Sequence, residues 1–193
     1  LDTKSLMDWK LLVTMLLPVI LGLVFYRRLA ALSANMIIMA TLLFLNGLIL
    51  YIPQFLPFGN KDCRTLSRVE GLLMGLGGVC FAVPGLSGVG TALSVASVSG
   101  VDRKYGLSMI LLMNMGIVAG EAVYDFLDLL AAGFSGLSVM ILLSYLLAAV
   151  AAFVSAFLAV KLLRSLSEDR GFGWFAYYSW GAALFTFVLS LMA

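Results

Sequence analysis

Residues 82–90 read Ala-Val-Pro-Gly-Leu-Ser-Gly-Val-Gly, at the centre of a stretch, residues 71–101, that carries no charged side chain. An apolar run of that length suits a membrane. A helix crossing it would not have Pro84, Gly85, Gly88 and Gly90 together at its middle. Non-helical backbone at membrane depth persists only where protein buries it or a polar cavity lines it. Broken apolar segments also point to binding sites in membrane proteins. The stretch therefore predicts a hairpin with a small polar loop centred on Ser87, held within the membrane.

The composition extends that reading to the whole chain. Of the 193 residues, 63% are hydrophobic and 11% are charged, and the mean hydropathy is +1.09. Soluble domains carry about 25% charged residues. Charge-free runs cover residues 29–60, 71–101, 129–160 and 171–193, each longer than the ~20 residues that cross a hydrocarbon core. The pattern predicts an all-α integral membrane protein, since strand-like alternation is absent. A net charge of +2 is no basic patch, which argues against nucleic acid. The chain has no histidine, so it offers no imidazole base and no zinc constellation. Cys63 lies in a loop and Cys80 in an apolar run, and no disulfide between them is expected.

Five crossings and one hairpin follow. The crossings are placed at about residues 10–26, 34–52, 104–125, 137–161 and 173–192, and the hairpin at 69–100. Pro53, Pro57, Gly59, Asn60, Lys61 and Asp62 mark the polar loop before the hairpin. If the hairpin enters and leaves on one side, ten of the 12 basic residues share one face, leaving Arg27 and Arg28 on the other. A single crossing there would divide them five against seven. The positive-inside rule therefore favours a re-entrant hairpin, a cytoplasmic 61–68 loop and an external C-terminus. Each half of the hairpin is too short to cross alone at 1.5 Å per residue.

Ser87 is the first candidate site residue. A helix beginning near Thr91 would aim free N–H groups at the loop, a setting suited to phosphate. Gly85, Gly88 and Gly90 would let a ligand approach the backbone. The competing reading is a glycine-rich packing break with Ser and Thr bonded to carbonyls. Glu70 reads as a helix-start carboxylate beside Arg68. Glu121, Asp125 and Asp128 share one helix face, and Glu121 follows an apolar stretch, which makes it a second candidate. Asn46 and Asn114 sit mid-span and read as interhelical hydrogen-bonding residues. Trp174, Tyr177, Tyr178 and Trp180 read as an interfacial aromatic belt. Arg103 and Lys104 read as interface anchors, with phosphate contact by Arg103 the lesser reading.

Gly75-Leu-Gly-Gly-Val-Cys-Phe-Ala-Val-Pro-Gly-Leu-Ser-Gly-Val-Gly90 resembles a signature of the bacterial undecaprenyl-diphosphate phosphatase (bacitracin-resistance protein) family, Gly-x-x-Gln-x-x-Ala-x-x-Pro-Gly-x-Ser-Arg-Ser-Gly. Pro18 and Gly22, Gly100-Val-Asp-Arg103, and Phe175-Ala-Tyr-Tyr178 with Gly181 are similar to further motifs of that family. The resemblance implies two inverted repeats, each with a re-entrant hairpin. Residues 1–60 would be the last two helices of the first repeat, and residues 61–193 the second repeat with hairpin 69–100. It implies hydrolysis of the polyprenyl diphosphate carrier to the monophosphate, for recycling of the peptidoglycan carrier in the bacterial plasma membrane. Ser87 would be the catalytic residue, with Gly85, Gly88, Gly90 and Thr91 beside it on the phosphate. A homodimer is a further arrangement it allows.

The resemblance also implies a divalent metal, Mg or Ca, held by glutamates of a first hairpin. The chain begins at Leu1, and that hairpin's Glu-x-x-x-Glu and Ser-Ser-x-Gly-His motifs have no counterpart here, so no ligand is assigned. Gly78, Gly88, Val89 and Ser179 stand where the family has Gln, Arg, Ser and Arg. An arginine clamp on phosphate is bidentate and hard to replace. These departures lead to the expectation that the chain has little diphosphatase activity, and that an arginine at position 88 would raise it. A lipid-carrier flippase or transporter, and a non-catalytic membrane paralogue, are the alternatives.

Overall fold

The computed structural model describes residues 9–62, 64–133, 138–168 and 173–192. Cys63, Lys4 and Arg170 lie outside them. The described chain is helical: α1 Trp9–Ala30, α2 Met36–Tyr51, α3 Arg68–Gly78, α4 Gly88–Val98, α5 Arg103–Ala131, α6 Val139–Glu168 and α7 Gly173–Met192. Short 3-10 turns follow α1, α2 and α3. Among the described residues the only strand-like pairing is an isolated bridge between Lys61 and Val101.

The helix starts follow from side chains that satisfy orphan N–H groups. Asn35 Oδ1 accepts from Ile37 and Ile38 at the start of α2. Ser67 and Glu70 form a capping box on α3, each side chain accepting the other's backbone N–H. Ser87 caps α4, and Asp102 caps α5 by accepting from Tyr105 N–H at 2.9 Å.

Among the described residues five helices are long and apolar enough to cross a membrane: Trp9–Tyr26, Met36–Gln54, Arg103–Ala131, Val139–Ser165 and Gly173–Met192. They match the five predicted crossings. α5 and α6 end later than expected, because Asp125 and Asp128 do not end α5 and the basic residues after Val160 do not end α6. Helix N–H and C=O groups satisfy one another, so polar side chains near a span's end need not break it. This is a multi-pass membrane protein.

Over the stretch read as a hairpin lie two short packed helices, α3 and α4, of 11 residues each, or about 16 Å per helix. The break between them has a local cause. Leu86 N–H donates to Val83 C=O at 3.1 Å, with Pro84 and Gly85 between and Gly85 at φ +90°. Proline then glycine with positive φ is the pattern of a type II turn.

Glycines set the packing around this hairpin. Gly71 and Gly75 lay α3 against Leu11 and Met15 of α1, and Gly77 meets the Ala92 backbone of α4. Small residues four apart let helix backbones approach closely. The core between α1, α3, α4 and α5 is filled by Met15, Val19, Met74, Met109, Ile110 and Met113. α2 and α7 form a second packed pair, with Trp180 laid across Gly47 and its Nε1 donating to Phe44 C=O at 3.2 Å. α6 stands apart against α5, and its apolar side chains are exposed nearly all round. In hydrocarbon such a surface carries no penalty.

Candidate functional site at the hairpin loop

Helix α4 begins at Gly88, three residues before the predicted start near Thr91. The shift makes Ser87 the N-cap. Its Oγ accepts from Gly90 N–H at 3.1 Å, and its C=O accepts from Thr91 N–H at 2.8 Å. The N–H groups of Gly88 and Val89 lie in the first turn, at the electropositive end of the helix.

Ser87 is tied to two other helices. Its own N–H donates to Asn46 Oδ1 of α2 at 2.8 Å. Asn46 Nδ2 donates to Ser179 Oγ of α7 at 2.9 Å. Asn46 and Ser179 are both buried. This three-helix junction is one end of a cavity of about 460 Å³. Asn46, Ser87, Asn114 and Ser179 are among its polar lining, and Leu93, Leu163 and Phe175 among its apolar walls. It adjoins a larger groove of about 800 Å³ between α5 and α6, with Asn114 lining both. Asn46 is the interhelical hydrogen-bonding residue expected from its mid-span position, joining α2 to Ser87 and to α7. The available signal was an amide in the middle of an apolar span, where polar groups are expensive.

The remaining candidates are placed as follows. Gly85 shapes the turn. A Cβ on Gly88 would come 2.7 Å from Gly78 C=O and 2.8 Å from Phe81 Cβ, and one on Gly90 would overlap Leu50. The gaps left by these two glycines are therefore filled by protein. A side chain at 88 would require the Gly78 backbone carbonyl and Phe81 to shift. Thr91 is buried and lies beside the Cys80 thiol, outside the cavity lining. Arg103 is buried as well; its Nη2 donates to Pro53 C=O at 2.8 Å, and its guanidinium sits 4.3 Å from the Phe58 ring centre. Glu121 is partly buried on α5, while Asp125 and Asp128 are exposed, and none of the three lines the cavity.

Glu70 pairs with Lys61 rather than Arg68. Lys61 and the Ser67 backbone N–H hold its carboxyl well below the usual range, at about 2. Lys61 is itself fixed in place, donating its N–H to Gly100 C=O at 3.1 Å and accepting from Asp102 N–H at 2.9 Å. The loop before α3 is thereby clamped to the α4–α5 link.

The implied divalent metal does not fit these residues. Among the described residues no three His, Cys, Asp or Glu side chains gather. The polar lining of the cavity consists of neutral amides and hydroxyls, a donor set without the charge that hard cations require.

The family model described as bacitracin resistance protein BacA matches residues 2–185. An undecaprenyl-diphosphatase of Methanobrevibacter smithii is 30% identical over 192 residues, covering 98% of this chain and 67% of that protein. One of Thermodesulfovibrio yellowstonii is 26% identical over 171 residues, covering 88% of this chain and 64% of that protein. One of Corynebacterium glutamicum is 25% identical over 187 residues, covering 95% and 62%. The chain spans about two thirds of the length of these relatives. With the match reaching every described helix and the broken hairpin near its centre, the chain belongs to the bacitracin resistance protein BacA family.

Proposed function

We propose that this protein works on polyprenyl diphosphate, as an undecaprenyl-diphosphatase or as the larger part of one. The reaction cleaves the P–O–P anhydride. Water adds to the terminal phosphorus, giving the lipid monophosphate and inorganic phosphate, and the monophosphate returns to peptidoglycan synthesis. The observation that carries the reading is the position of Ser87. It caps α4 beside Asn46 and Ser179 in a cavity whose lining, Asn114 and Tyr178 apart, is otherwise apolar, which suits a ligand with an anionic head and a long hydrocarbon tail. Ser87 and the N–H groups of Gly88 and Val89 would bind the phosphate oxygens and stabilise charge that grows on them in the transition state. No step is assigned to a metal.

The setting we propose is the bacterial plasma membrane. Hairpin 69–100 enters and leaves on the cytoplasmic side, 61–68 faces the cytoplasm and the C-terminus lies outside. Residues 1–60 would close one inverted repeat and 61–193 form the next. The charge asymmetry of the loops supports this orientation.

The test is phosphate release from a polyprenyl diphosphate by the full chain in detergent micelles, with transfer across liposomes followed in parallel. Inorganic phosphate appearing in step with lipid monophosphate supports hydrolysis. Movement of intact diphosphate lipid without phosphate release would sink it in favour of a flippase.

A further inference from the structure

Asn46 lies near the middle of α2 and is 5% exposed. A backbone N–H can only donate, so the bond from Ser87 N–H fixes which end of the amide is oxygen. The nitrogen end must then face Ser179 Oγ, as it does. The orientation of the amide is thus determined at both ends. The Ser87 N–H precedes the helix and has no place in its hydrogen-bond ladder. Left unpartnered in a partly buried loop, it would cost about 1–3 kcal/mol.

A second polar link joins the same two helices. The buried Ser94 Oγ of α4 lies 2.9 Å from Ile49 C=O of α2 and 3.0 Å from Gly90 C=O of its own helix, sharing its one hydrogen between them. Ser94 does not line the cavity. The two links therefore make similar demands on α2–α4 packing, but only the Asn46 link ends on Ser87, in the cavity lining.

We propose that Asn46 is a positioning residue: it sets the Ser87 cap, and with it the first N–H groups of α4, at a fixed place relative to Ser179 and the cavity. The inference rests on the polyprenyl-diphosphate reading. Asn46 Oδ1 and one Nδ2 hydrogen are engaged with Ser87 and Ser179, so its effect passes through Ser87. Misplacing a reacting group by about 1 Å lowers rates on the order of a hundredfold.

The experiment uses the full chain in detergent and compares Asn46→Ala with Ser94→Ala. It reads kcat and KM for phosphate release, the melting temperature, and binding of a non-cleavable farnesyl methylenediphosphonate. Both variants should melt earlier. Asn46→Ala should lower kcat by about a hundredfold, more than it raises KM, and weaken the diphosphonate; Ser94→Ala should leave both at wild-type values. Equal effects of the two variants, or wild-type kcat in Asn46→Ala, would overturn the proposal. If Asn46→Ala does not fold, Ser179→Ala frees the nitrogen end of the amide, and a lowered kcat supports the role while a wild-type kcat overturns it. A wild-type protein that binds the diphosphonate without releasing phosphate refutes the hydrolysis reading alone, and the positioning role is then read from binding. One that neither cleaves nor binds refutes both.

Discussion

Gly78 and Gly88 face each other across the hairpin so closely that a Cβ on Gly88 would come 2.7 Å from the Gly78 carbonyl oxygen. They stand at the two positions where the family signature has glutamine and arginine. Gly78 and Phe81 occupy the space that a side chain at 88 would enter. Gly88→Ala is expected to lower stability by about 1–3 kcal/mol, as overpacking does. Gly88→Arg should be at least as damaging and should not raise phosphate release. Thermal unfolding and phosphate release, measured together in detergent, check both. A stable, more active Gly88→Arg protein would show that the Gly78 turn yields readily.

The Glu70 carboxylate carries a pH dependence with a definite sign. Its value in the fold, about 2, is below the ordinary 4.5. A depressed carboxyl contributes stability that is fully present above about 4.5 and is lost as pH falls toward 2. Asp62 is lowered too, by the Arg64 N–H and the Thr65 hydroxyl, and acts in the same direction. Glu70→Gln should cost about 1 kcal/mol at pH 7, the usual scale for a cap. The gap between wild type and variant should narrow as pH falls from 5 to about 3. Melting temperatures across that range give the answer; a gap that stays constant would remove Glu70 from the account.

Arg103 is expected to act on stability and leave substrate binding alone. Its guanidinium is engaged by Pro53 C=O and the Phe58 ring, away from the cavity lining. Arg103→Ala should lose about 1.5–3 kcal/mol, the range for hydrogen bonds to charged groups. Arg103→Lys should recover part of that, since an ammonium cannot reproduce the planar contact with the ring. KM, measured on the folded fraction, should not move. A raised KM with unchanged melting would restore the phosphate-contact reading.

Gly47 and Trp180 should show strong coupling. A Cβ at 47 would overlap the Trp180 indole, so Gly47→Ala should push the ring off α2 and lower the melting temperature. In a Trp180→Leu background the same substitution should be nearly neutral. A double-mutant cycle measures the difference, and contacting residues commonly couple by about 0.5–3 kcal/mol. Simple additivity would mean the ring moves aside at no cost.

The sequence by itself determined the class of the protein and the place of its break. Charge-free runs longer than a bilayer core require helices, and Pro84-Gly85 cannot continue one, so five spans and a broken hairpin are written in local composition. Ser67-x-x-Glu70 likewise announces its own helix start. Tertiary structure alone decided what surrounds the break. Whether Gly88 leaves a gap for a ligand depends on Gly78 and Phe81, folded back against it. Whether Glu70 pairs with Arg68 or Lys61 depends on the bridge between Lys61 and Val101. Asn46, Ser87 and Ser179 are separated along the chain by 41 residues and by a further 92, that is 133 from Asn46 to Ser179. Local spacing holds no trace of such a junction, because hydrogen bonds form between neighbours in space and only packing of α2, α4 and α7 makes these three residues neighbours.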